Sequence, residues 1–297
     1  MTHPNNTNGR TSAEVPAARW EPLGAIAPRS LADARLQLHH AAQIANSTGI
    51  SLLPATPDDS HTNFEWLSSV RALATMVVPT ARPFRTALRL ADITLMILDE
   101  GGKPQAQLPL DGLTMGAGFD WLVARVAERG ADAARMTMQK HYEIPQHTTS
   151  GGAPFALGDG AAFREVERYY ANAALLLEDL VARTAGASPI RCWPHHFDLA
   201  TLTALEPGKT IGAGMSPGDD SYAEPYIYVT PYPYPAVERL GPLPSGHWHT
   251  QDWVGAVLPA SEIAHETDGE AQRTLATNFI AAADSQCRAV MSSPARR

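Results

Sequence analysis

The chain has 297 residues, 44% of them hydrophobic and 18% charged, enough for one large or two modest globular domains with a real core. A formal net charge of -8 argues against nucleic acid as a partner, because non-specific affinity for phosphates comes from Lys and Arg. No apolar run approaches the ~20 residues of a membrane helix, so no membrane partner is expected.

Residues 1–19 are polar, lack the apolar segment of a signal peptide, and read as a disordered leader. Two cysteines far apart, Cys192 and Cys287, make neither a disulfide framework nor a thiolate metal site, so reduced thiols in a cytoplasmic protein are expected. Ser30 with Asp33 resembles a capping box, opening a helix whose Leu31, Leu38, Ala42 and Ala45 recur at helical spacing until Gly49. His39 and His40 then lie on a helix surface, pointing about 100° apart and unable to face one metal. Ile50 to Leu53 and Ala72 to Val78 read as strands. Thr86 to Leu98 reads as a long strand interrupted by Asp92, turning at residues 99–102 and returning from Gln105 to Leu110. Phe119, Leu122, Val123 and Val126 mark a helix that stops at Gly130, and Arg135 to Ile144 alternates as an edge strand would.

Residues 147–160 form a Gly, Ser, Thr and Pro linker between an N-terminal half, 20–146, and a C-terminal half, 161–291, with a tail at 292–297. Asp159 caps the longest predicted helix, Ala161 to Thr184. Trp253 to Leu258 reads as a strand, and Asp268 opens a final helix whose apolar stripe includes Phe279 and Cys287. Both halves follow one order of elements, with Phe64-Glu65 and Phe197-Asp198 in similar places, which suggests an internal duplication. The expected class is α+β, with mixed or antiparallel sheets and helices on one face.

The stretch Trp193 to Tyr234 concentrates the reactive residue types. If Cys192 to Thr201 is one strand, Trp193, His195, Phe197 and Leu199 share one side, and His196 and Asp198 share the other. A neutral His beside a carboxylate is a general base, part of a metal site or a hydrogen-bonded couple. Thr210 to Met215 places Gly212 and Gly214 on one face, where glycine marks close approach of another group. Asp219 sits in the following turn, and Glu224 opens a strand with Tyr226, Tyr228 and Thr230 on its own face. These residues make a candidate small-molecule site: His196 and Asp198 catalytic, Asp219, Glu224, Tyr226 and Tyr228 binding around the glycines. The alternative is that the glycines seat tyrosine rings and the acids cap turns. His196-Phe-Asp198 followed by His247 and His249 also matches the two-His, one-carboxylate ligand set of non-haem iron oxygenases, which makes a divalent metal a candidate cofactor. A third reading is a non-catalytic protein that meets a partner through its tyrosine-rich face.

Trp-Pro-His-His-Phe-Asp at 193–198, Ser-Pro-Gly-Asp at 216–219 and Glu-Pro-Tyr at 224–226 resemble a largely actinobacterial family of unknown function. That family carries Trp-Pro-x-His-Phe-Asp and Ser-Pro-Gly-Asp followed by Pro-Glu-Pro-Tyr; this chain has Ala223 where the pattern has proline. In a more distant, similar group the aromatic and acid matching Phe197 and Asp198 are kept, while small residues replace His195 and His196. The resemblance therefore implies a shared role for Asp198 and the Gly-Tyr surface more than for His196.

Overall fold

The structure, a computed structural model, describes residues 19–292. The leader expected at 1–19 and the tail expected at 292–297 lie outside the described residues but for Arg19 and Ser292.

Among the described residues eleven strands form one open sheet in which every paired strand is antiparallel. The first five are β1 Phe64–Leu67, β2 Ala72–Thr75, β3 Phe84–Arg89, β4 Thr94–Asp99 and β5 Pro104–Pro109. The other six are β6 Arg191–Trp193, β7 Asp198–Glu206, β8 Lys209–Ser216, β9 Tyr226–Tyr232, β10 His247–His249 and β11 Gly255–Pro259. Each half lays its strands outward from the middle, where β1 pairs with β6 through Phe64 opposite Cys192.

The helices are α1 Ala32–Leu52, α2 Met115–Glu128, α3 Ala161–Arg183, α4 Ala260–Ala264 and α5 Gly269–Ser292. They gather on one side of the sheet, α1 over β2 and β3, α3 over β1, β7 and β8, and α5 over β8, β9 and β11. Strand residues of one parity, such as Leu73, Leu88 and Leu95 in the first half and Leu199, Met215 and Val229 in the second, join helix side chains in a single core. Cys192 and Cys287 are free thiols buried in that core. The other parity faces away from the helices. In the first half this outer side is closed by Ala72, Ala74, Ala87, Met96 and Leu98, a small apolar cluster of its own.

The long amphipathic helices fall where their periodicity puts them, and Asp159 and Asp268 accept from the first amides of α3 and α5. Several expectations are corrected. Ser30 and Asp33 form no capping box: a 3-10 turn, Pro28–Leu31, leads into α1 without a side-chain cap, and Asp33 accepts instead from Gln37. The helix runs on to Leu52 and absorbs the strand expected from Ile50 to Leu53. His39 and His40 are buried, at 5% and 3% exposure, because α1 is enclosed by β2, β3, α2 and α3. The expected strand from Thr86 to Leu98 is a hairpin, β3 and β4, which turns at Leu90 to Ile93 with Ile93 in left-handed conformation (φ 46). Arg135 to Ile144 forms no strand among the described residues. Its alternation comes from packing along α1: Ser51 Oγ accepts from Thr137 N at 2.9 Å, and Tyr142 donates to Gln43 at 2.8 Å.

Two rows of the sheet, one on each side of the β1–β6 pair, can be set side by side. Ala74, Ala87 and Met96 lie side by side across β2, β3 and β4; Ala200, Gly214 and Tyr228 do so across β7, β8 and β9. Counted back along the strands from these rows, Asp198 stands where Ala72 does and Phe197 where Arg71 does. Arg71 and Phe197 each end a four-residue hairpin turn in left-handed conformation.

Residues 147–160 are tied into the body of the fold. Phe155 is 1% exposed, and Ala156 exchanges hydrogen bonds of 2.8 and 3.1 Å with Gln37 of α1.

Candidate functional site

Cys192 to Thr201 is not one strand. After Trp193 the chain turns through Pro194, His195, His196 and Phe197 and enters β7 at Asp198. The turn changes the expected sides of two residues: Phe197 and Leu199 enter the core with Cys192 and His196 stays with Asp198, but Trp193 and His195 join His196 and Asp198 on the helix-free side.

The turn is held from beneath by α1 and α3. Pro194 O accepts from Gln43 Nε2 and from His39 Nε2, both at 2.9 Å. Burial depresses the His39 pKa to about 3, so its ring is neutral at ordinary pH, and an accepting carbonyl places its proton on Nε2. The same ring stacks on Phe197 at 5.0 Å, and the Tyr170 hydroxyl donates to Phe197 O. The result is a turn held by the carbonyls of Pro194 and Phe197 while His196 stays exposed. Among the described residues, nothing hydrogen-bonds the His196 ring; its contact is the ring of His195, 4.2 Å away. Burial, and then His196, lower the His195 pKa to about 4.

Asp198 opens β7 at 8% exposure. Its Oδ2 accepts from the Tyr228 hydroxyl at 2.5 Å, and its Oδ1 is buried without a hydrogen-bond partner among the described residues. Burial pushes the Asp198 carboxyl above the ordinary carboxylate range, against the opposing effects of Tyr228 and His196. Burial, then the charge of Asp198, raises the Tyr228 phenol well above its usual value, so Tyr228 is the donor.

Tyr228 reaches Asp198 because it crosses a residue without a side chain. It stands opposite Gly214, where a Cβ would lie 2.7 Å from its hydroxyl and 2.7 Å from Leu199 O. Gly212 similarly faces Thr230, whose methyl would be 3.2 Å from an added Cβ. Asp219 is both turn cap and wall: Oδ1 accepts from Ser221 N and Tyr222 N at 2.8 and 2.9 Å, and Oδ2 from the Tyr226 hydroxyl at 2.5 Å.

Two cavities, of about 320 and 610 Å³, open on this side and share His196, Asp198, Tyr228 and Thr230. The smaller is closed by Asp219, Tyr226, Tyr234 and Trp253. The larger runs past Trp193, His195, Gly212 and Leu202 to Asp58 and Asn63 of the first half. His196, Asp198, Asp219, Tyr226, Tyr228 and Gly212 thus meet along one groove, with Gly214 beneath the Tyr228 ring.

Three expected members lie elsewhere. Glu224 precedes β9, so strand alternation does not reach it; it turns to α4, accepting from Ser261 N at 2.6 Å and pairing with Arg29 at 3.5 Å. His247 and His249, on edge strand β10, both meet the Tyr222 hydroxyl at 3.0 Å, and His249 stacks on Trp253 at 4.3 Å. Neither lines the groove, and among the described residues no group of three or more His, Cys, Asp or Glu is placed to hold a metal. His196 and Asp198 with either of these histidines therefore do not make the facial triad.

Tyr234 and Trp253 as walls of the groove, and His39, Gln43 and Tyr170 as its support, are additions to the residues expected from the sequence. The Tyr-Pro-Tyr-Pro run at 232–235 carried the signal for Tyr234; none marked Trp253, which reaches the wall from the loop before β11. In comparisons with family models, curated proteins and solved structures the chain matches none, so the groove itself has to supply the functional reading.

Proposed function

We propose that this chain is a small-molecule-binding protein whose site is the groove shared by the two cavities. The observation that carries the reading is Asp198, a buried carboxylate at the junction of both cavities with one oxygen partnered by Tyr228 and the other by no protein group. A buried acceptor without a donor costs about 1–3 kcal/mol, and ligand sites are where such unpaired groups are kept. The volumes suit metabolite-sized ligands.

In a catalytic version of this reading the base is His196, exposed in both cavities with no described residue hydrogen-bonded to its ring, and Asp198 acts on it through charge. Metal assistance has no support in the ligand geometry described above. Location in the cytoplasm and membership of the actinobacterial family belong to the same proposal, the latter on the motifs at 193–198 and 216–226. No described helix is long and apolar enough to cross a membrane.

Thermal-shift screening of the full chain against metabolites grouped by charge tests this. At least one class is expected to raise Tm in the wild type and not in Asp198→Asn; equal shifts in both, or none at all, would sink the reading.

A second reading, a partner-binding aromatic face, is favoured by one observation. Tyr232 and Tyr234, 60% and 49% exposed, stand together at the exit of β9 near the rim of the groove.

A further inference from the structure

The smaller cavity carries chemistry specific enough to name a ligand class. Its walls include two carboxylates, Asp198 and Asp219, and four aromatic rings, Tyr226, Tyr228, Tyr234 and Trp253; among the described residues no Lys or Arg lines it. Arg35 approaches from the helix side beneath the Gly218 turn, where it faces Asp219 and Asp220. Counting Asp198, Asp219 and Asp220 against Arg35 leaves the neighbourhood negative when the acids are ionised.

We infer that this cavity binds a small organic cation bearing N–H donors, a primary ammonium or a guanidinium, with the charged group against Asp198 Oδ1 and its carbon chain along the tyrosine and tryptophan rings. This rests on the small-molecule reading above and deepens it.

Three features lead to this class and away from others. Oδ1 of Asp198 is more than nine-tenths buried and needs a donor, which a carboxylate or phosphate ligand cannot supply and which two wall carboxylates would repel. The aromatic faces attract positive charge, and the more so where water is excluded. Tyr226 and Tyr228 already give their hydroxyl protons to Asp219 and Asp198, so they have no donor left for a neutral polar ligand. A quaternary ammonium would satisfy the rings but leave Oδ1 unpaired, so it should bind more weakly than an N–H cation of like size.

The test is calorimetric titration of the full chain with n-butylamine and butylguanidine, set against tetramethylammonium, n-butanol and butyrate, in wild type, Asp198→Asn and Trp253→Leu. The two N–H cations are expected to bind, tetramethylammonium about tenfold more weakly, and the neutral and anionic probes not at all. Asp198→Asn should weaken the amines by about tenfold or more, and Trp253→Leu by about two- to fivefold. The tryptophan variant keeps the test decisive if the aspartate variant fails to fold. Binding of n-butanol or butyrate that needs Asp198, with the amines silent, overturns the cation inference and leaves the small-molecule site standing. Silence of every probe here, together with no hit in the charge-grouped screen, overturns both. Amine binding indifferent to both substitutions overturns the location.

Discussion

The helix-free side of the sheet is closed in one half of the molecule and open in the other, and equivalent positions account for the difference. In the first half, Val70, Ala72, Ala74, Ala87 and Met96 pack as an apolar layer, with Arg89 laid over the row of Ala72 and paired to Asp92 at 2.6 Å. In the second half the same positions hold His196, Asp198, Ala200, Gly214 and Tyr228, and Ser216 stands where Arg89 does. Replacing an Ala by Gly lowers the floor by one Cβ, and replacing Met by Tyr spans the gap with a rigid ring that ends in a donor. Replacing Arg by Ser leaves the space above unfilled. One arrangement of strands thus gives a sealed layer or a groove, according to a handful of side chains.

The largest effect should come from raising the floor. Gly214→Ala puts a methyl 2.7 Å from Leu199 O and 2.8 Å from Ala200 Cβ, backbone and neighbour that cannot move aside cheaply. A loss of about 3 kcal/mol in urea unfolding is expected, together with loss of ligand binding as Tyr228 is displaced. The mirror change in the closed half, Ala87→Gly, should cost about 1 kcal/mol. Equal costs at the two positions would break the comparison.

Next in size is the pH dependence, set by the support beneath the groove. His39 has a folded pKa of about 3 against an ordinary 6.5, so the unfolded chain takes up the proton first. The stability this gives is present above 6.5 and is lost as pH falls towards 3; at pH 5 the loss is about 2 kcal/mol. His195, at about 4, acts in the same direction. Asp198 acts in the opposite one, because its carboxyl is raised: its contribution is present at low pH and lost as pH rises through the folded value. Unfolding free energies at pH 7 and pH 5 should differ clearly in the wild type and much less in His39→Gln, whose amide can still donate to Pro194 O. A wild type no less stable at pH 5 would show that the turn is not held by a neutral His39.

The elements were legible where a period or a breaker marked them. Helices α3 and α5 show their apolar stripe, and the Gly-Gly pair at 101–102 marks the turn into β5. The missed turns, 90–93 and 194–197, contain no glycine, and each puts a large apolar residue, Ile93 or Phe197, in left-handed conformation to bury its side chain. Tertiary packing overrode local preference there, and a single sequence does not display it. The burial of α1 had a visible sign that went unused: no Asp, Glu, Lys or Arg stands between Arg35 and Asp58. Gly212, Gly214, Tyr226 and Tyr228 lie on the sheet face that strand alternation gives them, because the alternation spans β8 and β9 without interruption. Glu224 was misplaced because its partner, the amide of Ser261, belongs to a helix distant in sequence.

A smaller effect tests whether the Asp198–Tyr228 couple is what distinguishes the two halves. Tyr228→Phe leaves both Asp198 oxygens unpartnered and should cost about 1.5 kcal/mol. Copying the closed half instead, with Asp198→Ala and Tyr228→Met together, removes donor and acceptor at once and should cost less than about 1 kcal/mol while abolishing amine binding. A double variant costing more than the single would mean that the couple is worth more than the apolar pair Ala72 and Met96, contrary to the comparison.

The smallest expected effect separates the groove from its rim. Tyr232 is 60% exposed and lines neither cavity, while Tyr234, two residues on, forms part of the smaller one. Tyr232→Ser should change stability by less than about 0.5 kcal/mol and leave amine titrations unaltered, whereas Tyr234→Ser should weaken amine binding by about two- to fivefold. Equal losses from both would move the site outward from Asp198 to the aromatic rim and turn the balance to the partner-binding face. That reading has its own signature in the same pair of variants. A partner, or a second copy of the chain, resting on the rim would be lost with Tyr232→Ser as readily as with Tyr234→Ser, and sedimentation of the two proteins beside the wild type would register a lost second copy without any small ligand present.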